Sequence, residues 1–265
     1  MQIMIDAMTL EGKWFGPEPS VAPTIVMLHE GLGSVSTWRD FPEQLTEATG
    51  AGVFAYSRSG HCHSSPAILP RPLAALHREA QEVLPRILEE IGFRRGILLG
   101  HSDGASIVTI YAGRVQNHRI GGLVLIEPHF NVEEKNLSSI RQMVTNYEST
   151  DLRARLARHH SNVDAMFSAW SNMWLYPCFE SFDLTRELRL ICVPMLIVKS
   201  EDDPYSTMAQ FRVAETECRC LVETVVIPGV GHSPHRSNPK RTLEAIVNFA
   251  NNIIWRHSET EMPRT

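Results

Sequence analysis

The chain has 265 residues, of which 43% are hydrophobic and 21% charged, and its formal net charge is −5 at pH 7. This is the composition of an ordinary globular protein, and it excludes a strongly basic surface for nucleic acid or for an anionic membrane. No apolar run approaches the ~18 residues of a membrane span. The expected partners are therefore small molecules, and assembly as a homodimer is compatible with the sequence.

The cysteine pattern and the start of the chain bear on its compartment. The five cysteines are scattered and odd in number, which favours a reducing compartment over a disulfide framework. Cys218 and Cys220 are too close for a usual zinc pair and have no second pair, so a structural role is expected for them. The N-terminus has neither a basic start nor a long apolar core, so no signal peptide is predicted. We expect a cytoplasmic protein without a bound metal.

The first part of the chain alternates strand and helix patterns. Residues 2–15 alternate weakly and predict an edge strand or a hairpin. The apolar runs at 22–28 and 52–56 predict strands that are buried on both faces. Helical spacing of apolar residues follows each of these strands, over 36–49 and 71–92. Such alternation is typical of a mostly parallel sheet with helices on both faces.

The rest of the chain continues the alternation after one interruption. Four more runs predict strands: 96–101, 121–126, 194–198 and 222–227. A helix is predicted over 103–114, and a last helix from Pro239 to about Trp255, followed by a frayed polar tail at 257–265. Between them, residues 131–190 carry dense charges, aromatic side chains and helical patterns.

The interruption predicts the domain organisation. We interpret residues 131–190 as an inserted helical cap, or lid, on a core formed by residues 1–130 and 191–265. The alternative is that these helices only continue the layers on the sheet.

One stretch carries the strongest chemical signal. Gly100-His101-Ser102-Asp103-Gly104 follows a predicted strand and begins a predicted helix, which is the context of a G-x-S-x-G nucleophile elbow. The turn between strand and helix is tight, so side chains at positions 100 and 104 would collide. The two glycines leave the Ser102 hydroxyl exposed at the end of the strand. The alternative interpretation is a glycine-flanked helix start with a capping serine.

A serine nucleophile needs a base and an acid, and these are expected at the carboxyl ends of other strands. His232 follows the last predicted strand within a glycine-rich turn, and it would take the serine proton. Its neighbour His235 is the second candidate. Asp203, directly before a proline, is the preferred acid that would orient the imidazole. Glu127, after the 121–126 strand, is the serious alternative.

The oxyanion of an acyl-transfer reaction needs backbone donors. Asp103, directly after the serine, supplies one amide at a helix N-terminus. A second is expected from the loop at 29–34, with Gly31 as the first choice because it has no side chain to block approach. The Asp103 carboxylate either stabilises the positive end of the helix or disfavours substrates with a carboxylate near the scissile bond.

The chain resembles the α/β-hydrolase superfamily over nearly its whole length. The matching pieces are His29-Glu30-Gly31-Leu32-Gly33-Ser34 with Trp38, Gly60-His61 with Ser64, the Ser102 elbow, Asp202-Asp203-Pro204 and Gly231-His232-Ser233-Pro234. Glu30 stands where many relatives carry glycine, which leaves open which loop amide completes the oxyanion hole. The resemblance implies an α/β-hydrolase fold and hydrolysis of carboxylic esters through an acyl-enzyme, without a metal or organic cofactor.

The resemblance also implies a substrate pocket under the cap. His129, Trp170, Trp174 and Tyr176 are candidates for its wall, although the aromatic residues would also suit a cap core. His159 and His160 are expected to be solvated.

The leading hypothesis is a serine carboxylesterase for small or medium acyl chains. A lactonase, a thioesterase or a carbon–carbon bond hydrolase would use the same three residues, and in the last class Arg141 or His129 would contact a substrate carboxylate. A small-molecule receptor without turnover is the hypothesis from another class.

Overall fold

The computed structural model describes residues 1–254, which form an eight-stranded sheet with helices on both faces. The sheet order is β1-β2-β4-β3-β5-β6-β7-β8; β1 and β2 run antiparallel to their neighbours and the others are parallel. The strands are β1 Gln2–Ile5, β2 Met8–Phe15, β3 Thr24–Leu28, β4 Gly52–Ser57, β5 Gly96–His101, β6 Ile120–Ile126, β7 Met195–Ser200 and β8 Val222–Ile227. The mostly parallel α/β fold predicted from the alternation is confirmed.

Eleven α-helices are described within residues 1–254. They are α1 Phe41–Thr49, α2 Ala75–Arg78, α3 Leu84–Glu90, α4 Asp103–Arg114, α5 Glu134–Ser149, α6 Leu152–Leu156, α7 Val163–Trp174, α8 Thr185–Leu190, α9 Ala209–Glu217, α10 Pro234–Ser237 and α11 Pro239–Ile254. Helices α1 and α11 cover one face of the sheet, and α2, α3, α4, α8 and α9 cover the other. Each face therefore has its own apolar core, which is why the central strands are apolar at most positions.

Two predicted helices are interrupted in the structure. The pattern over 36–49 is divided into a 3₁₀ turn, Val35–Trp38, and α1, because Arg39 between them has a φ of 55°. The pattern over 71–92 becomes α2 and α3 joined by a π-helical turn, Glu79–Val83. Helix α9 had no counterpart in the sequence prediction.

Helices α5, α6 and α7 lie between β6 and β7, followed by a 3₁₀ turn and α8. Helix α8 packs on α4, where the Arg114 guanidinium bonds the buried Glu187 carboxylate and Gly113 closely approaches the Glu187 backbone. The structure thus joins α8 to the helical layer of the core, before the predicted cap boundary at residue 190. We use "helical insertion" below for α5–α7.

Two sequence predictions concern the end of the chain. Helix α11 is described to Ile254, while Trp255, where the prediction ended it, and the predicted tail at 257–265 lie outside the described residues. Within residues 1–254, no helix has the length and apolar character that a membrane crossing requires.

Candidate active site

Ser102 occupies a strained turn between β5 and α4. Its φ of 53° is rare for a residue with a side chain. A Cβ added to Gly100 would lie 2.3 Å from the Gly104 carbonyl oxygen, and one added to Gly104 would lie 2.1 Å from the carbonyl oxygen of Leu28. The glycines are therefore required by backbone that passes close to them, rather than by collision between two side chains. The turn holds Ser102 at the carboxyl end of the sheet.

Hydrogen bonds join three of the predicted site residues. His232 Nε2 lies 2.9 Å from Ser102 Oγ, and His232 Nδ1 lies 2.9 Å from Asp203 Oδ1. The second candidate, His235, is buried elsewhere and packs against the rings of Trp38 and Phe41. Because Nδ1–H donates to the carboxylate, Nε2 is left to accept the serine proton.

The charge on His232 is set by opposing effects. Burial lowers the pKa of His232, the negative charge of Asp203 raises it, and the net pKa lies below the ordinary value. The imidazole is therefore neutral near pH 7, as a general base must be. The Tyr205 ring lies over it, with the ring centroids 4.5 Å apart.

Asp203 is fully buried, and every contact it makes favours its charged form. Its Oδ2 accepts hydrogen bonds from Lys199 Nζ at 2.9 Å and from Ser206 Oγ at 2.6 Å. Burial alone would raise the pKa of Asp203, but His232 and Lys199 outweigh it and hold the pKa well below the usual range. The carboxylate is thus fixed as an anion in one orientation beside His232.

Glu127, the alternative acid, lies in the same buried cluster. Its Oε2 accepts a hydrogen bond from Lys199 Nζ at 2.8 Å, and its Oε1 accepts one from the Ser200 amide. Burial raises the pKa of Glu127 to about 8, against the opposing charge of Lys199. The structure therefore places both candidate acids around one ammonium group and places Asp203 in hydrogen-bond contact with His232.

Lys199 was missed as a site residue, although a lysine ending an otherwise apolar strand is a readable signal. Its ammonium group also bears on whether the surrounding residues could bind a metal ion. Glu127, Asp203 and His232 each offer a ligand atom within 4.8 Å of the others. The Lys199 ammonium already contacts both carboxylates, so the cationic position between them is taken by the protein itself.

Two of the residues that line the cavity, both predicted as oxyanion donors, have backbone amides without an acceptor within residues 1–254. Asp103 is the first residue of α4, so its N–H has no acceptor within the helix. Gly31 lies in the cavity wall, where an added Cβ would be 2.1 Å from the Trp170 indole nitrogen. A side chain at position 31 would therefore displace the roof of the cavity. The N–H of Gly31 makes no hydrogen bond to the described part of the chain.

A cavity of about 530 Å³ contains Ser102 and His232 and lies beneath the helical insertion. His129, Trp170 and Trp174, all predicted for the pocket, line it. Tyr176 does not: it is 52% exposed and faces a different surface depression, because α7 ends before it. The expectation that Tyr176 lines the substrate pocket is thus corrected.

Asp103 contributes its carboxylate to the cavity floor. Oδ1 accepts a hydrogen bond from the Trp174 indole at 3.0 Å, and the buried Oδ2 has no hydrogen-bond partner within residues 1–254. Beside it, burial lowers the pKa of His129 to about 3, so this ring is neutral. The Asp103 side chain thus lies both in the first turn of α4 and at the floor of the cavity near Ser102, so either role considered from the sequence remains compatible with its position.

Three other residues differ from expectation. His160 is buried, where Nδ1 accepts a hydrogen bond from the Cys62 amide and Nε2 contacts the Leu32 carbonyl, so it is not solvated. His159 is half-buried and lines the cavity. Arg141 pairs with Glu134 on the exposed side of α5, away from the cavity.

The family model described as the Alpha/beta hydrolase family matches residues 25–245. The chain belongs to the alpha/beta hydrolase family. Membership of this family supports hydrolase activity. No curated protein matches the sequence.

Solved structures share the fold at low sequence identity. An enol-lactonase from Burkholderia xenovorans LB400 superposes with a TM-score of 0.74 at 19% identity, covering 94% of this chain and 99% of that one. An esterase from Rhodococcus sp. ECU1013 superposes with a TM-score of 0.71 at 19% identity, covering 95% of this chain and 98% of that one. A proline iminopeptidase from Mycobacterium smegmatis superposes with a TM-score of 0.73 at 15% identity, covering 95% of this chain and 97% of that one. Their different activities show that the fold leaves the substrate open.

Proposed function

We propose that this alpha/beta hydrolase is a serine esterase that cleaves carboxylic esters of small or medium acyl chains. The observation that carries the proposal is the hydrogen-bonded series from Ser102 through His232 to Asp203. It has the atoms and the order that a nucleophile, a general base and an orienting acid require. The neighbouring esterase supports the proposal at the level of the fold.

In the first half of the reaction, Ser102 Oγ attacks the ester carbonyl while its proton moves to His232 Nε2. Asp203 stabilises the imidazolium that forms, and its pKa, held well below the usual range, keeps it charged. The tetrahedral oxyanion accepts hydrogen bonds from the backbone N–H groups of Asp103 and Gly31. His232 then returns the proton to the alcohol oxygen as the carbon–oxygen bond breaks, which leaves Ser102 acylated.

In the second half, water takes the place of the alcohol. His232 removes a proton from the water, the hydroxide adds to the acyl carbonyl, and the acid leaves as Ser102 regains its proton. The cavity of about 530 Å³, with apolar walls from Ile140, Met143 and Trp170, is large enough for a substrate of modest size.

The decisive experiment is hydrolysis of p-nitrophenyl esters of increasing acyl length by the wild type and by Ser102→Ala. We expect activity with a maximum at short to medium chains, and a loss of at least about 10³-fold in kcat for the variant. Activity retained in Ser102→Ala would contradict the proposal.

A serine-directed fluorophosphonate separates the remaining outcomes. If the wild type reacts at Ser102 but hydrolyses no ester, simple esters are the wrong substrate, and lactones, thioesters and the diketone substrates of carbon–carbon bond hydrolases are assayed in their place. Labelling without turnover of any of them would identify a receptor, the competing hypothesis.

A further inference from the structure

The cavity above Ser102 has arginines from three separate segments in its wall. Arg39 comes from the chain after β3, Arg155 and Arg158 from α6 and the turn after it, and Arg236 from α10. Since the chain as a whole has a net charge of −5, this concentration of positive charge is local.

The arginines occupy the outer end of the cavity. All of them are exposed to solvent, whereas Ser102 and Asp103 are buried at the floor. Charged groups that extend into water around the entrance of a cavity meet a substrate first, and they remain in contact with whatever part of it projects outward. We call these four residues the arginine rim.

Acidic neighbours leave the arginine rim only partly neutralised. Arg236 pairs with Glu30 at 3.2 Å, and Arg155 lies 3.6 Å from Asp151. Within residues 1–254, no carboxylate comes within 4.0 Å of the guanidinium group of Arg39 or Arg158. Two guanidinium groups at the entrance are therefore available for an anion.

The arginines also act on one common point. His159 lines the same cavity, with its Nδ1 at 2.7 Å from Ser36 Oγ. Burial lowers the pKa of His159, and the positive charges of Arg236, Arg39 and Arg158 lower it further, against Glu30. Arginines from three segments thus lower the pKa of one side chain, His159, at the entrance.

We propose that the substrate carries an anionic group, a carboxylate or a phosphate, on the part that projects to the entrance, where the arginine rim binds it. This inference rests on the proposed ester hydrolysis and names its substrate class. Guanidinium groups suit both anions because their planar N–H donors match paired oxygens.

The floor of the cavity fixes how far this anion lies from the scissile bond. The Asp103 carboxylate lies directly after the nucleophile, and its buried Oδ2 is unpaired within the described residues. A second negative charge close to the ester carbonyl would face it in a site of low polarity. The anionic group must therefore be several bonds away from the carbonyl, at the other end of the cavity.

The test compares esters in matched charged and uncharged pairs. Mono-p-nitrophenyl esters of glutaric and adipic acid are set against p-nitrophenyl alkanoates of equal length, which places the charge on the acyl side. A second set places the charge on the alcohol side. It consists of the butyrate esters of 4-hydroxyphenylacetate and of 4-hydroxyphenyl phosphate, and the butyrate ester of methyl 4-hydroxyphenylacetate is the neutral reference for both. The two anionic members separate a preference for carboxylate from one for phosphate. We expect at least one anionic ester to exceed its neutral partner about tenfold in kcat/KM.

Salt and two substitutions locate the origin of this preference. The ratio of anionic to neutral kcat/KM should fall as ionic strength rises from about 0.01 M to about 1 M, because the Debye length shrinks from ~30 Å to ~3 Å. Arg39→Gln and Arg158→Gln should each lower the ratio roughly 3- to 10-fold. Arg153→Gln is the control, because Arg153 lies in α6, close to Arg158 in the sequence, but pairs with Asp164 outside the cavity wall.

The outcomes separate this inference from the proposed function. Equal kcat/KM values within every pair at low salt, or a ratio that Arg153→Gln lowers as much as the rim variants do, would overturn the arginine rim and leave ester hydrolysis intact. If no ester is turned over, ester hydrolysis fails, and calorimetric binding of the same pairs to Ser102→Ala decides the inference. Tighter binding of an anionic member supports it, and equal affinities overturn it.

Discussion

Lys199 is a fully buried lysine whose ammonium group finds an acceptor for each of its hydrogens. It bonds Glu127, Asp203 and Ser206, so it supplies the positive charge between two buried carboxyl groups. An unpaired charge in this position would cost several kcal/mol, whereas a complete cluster positions its members. Lys199 is therefore a positioning residue for Asp203, and its positive charge also lowers the pKa of His232 directly.

The raised pKa of Glu127 predicts a pH-dependent contribution to stability. The pKa is about 8 in the folded chain and near 4.5 in an unfolded one, so between these values the folded state binds more protons. The contribution is complete below about pH 4.5 and is lost as the pH rises to 8. We expect the free energy of unfolding of the wild type, relative to Glu127→Gln, to fall by on the order of 4 kcal/mol over this interval.

Urea unfolding of both proteins at several pH values measures this difference. Buried histidines with lowered pKa values change stability in the opposite direction, but they are common to both proteins and cancel. Glu90→Gln, on the exposed surface of α3, is the control and should follow the wild type. A constant difference between the wild type and Glu127→Gln from pH 5 to pH 8 would show that Glu127 is not protonated in the folded state.

The β5–α4 unit is the element on which the candidate site depends. Its strand is buried at every position, and its helix begins directly after Ser102, the proposed nucleophile, which has a strained φ. Such strain persists only where the surroundings enforce it. Here the enforcing contact is the approach of the Gly104 backbone to the end of β3, which leaves no room for a methyl group.

This close contact makes Gly104→Ala severe. The new Cβ would lie 2.1 Å from the Leu28 carbonyl oxygen, so α4 would have to move away from β3. We expect a loss of at least about 3 kcal/mol in stability and a loss of Ser102 labelling by a fluorophosphonate in the fraction that stays folded. Thermal denaturation and labelling rate are the two measurements.

Gly92→Ala separates crowding from backbone strain. Gly92 has a φ of 65°, but no atom lies within 4 Å of its added Cβ, so only the conformational cost of about 1 kcal/mol applies. If Gly104→Ala were no less stable than Gly92→Ala and labelled at the wild-type rate, the steric explanation of the elbow would be wrong.

At the scale of the whole molecule, local signals predicted the sheet and the elbow well. The central strands are readable because burial on both faces favours apolar residues at most positions, and the Gly100–Gly104 spacing follows from a local turn. Helix α9 escaped because its sequence, AQFRVAETE, has only a weak apolar stripe. The break at Arg39 escaped because a positive φ at an arginine has no compositional signal.

Contacts between distant segments could not be predicted in the same way. The arginine rim is assembled from three parts of the chain, and its members look like ordinary surface arginines until the fold brings them together. Tyr176 shows the converse error. Aromatic composition near the predicted cap suggested a pocket residue, but its position after the end of α7 turns it to solvent.

The helical insertion should be less stable than the core. Helices α5 and α11 each have 16 residues, but α11 packs on the sheet whereas α5 packs mainly on α6 and α7. We expect backbone amides in the central turns of α5 to exchange with deuterium at least about tenfold faster than those of α11. Hydrogen exchange followed by mass spectrometry makes this comparison within one sample. Equal protection would indicate that the insertion is a rigid part of the core and not a separate cap.

Glu127 and Asp203 stand at the ends of neighbouring strands, with ligand atoms within 4.8 Å of each other and of His232. In evolutionary terms, this arrangement provides a second carboxyl group near His232. A lineage that lost Asp203 after β7 would retain the Glu127 carboxyl group after β6, already buried and in contact with Lys199. Replacement of the proposed acid by Glu127 would therefore require a reorientation of His232 and no new acidic residue.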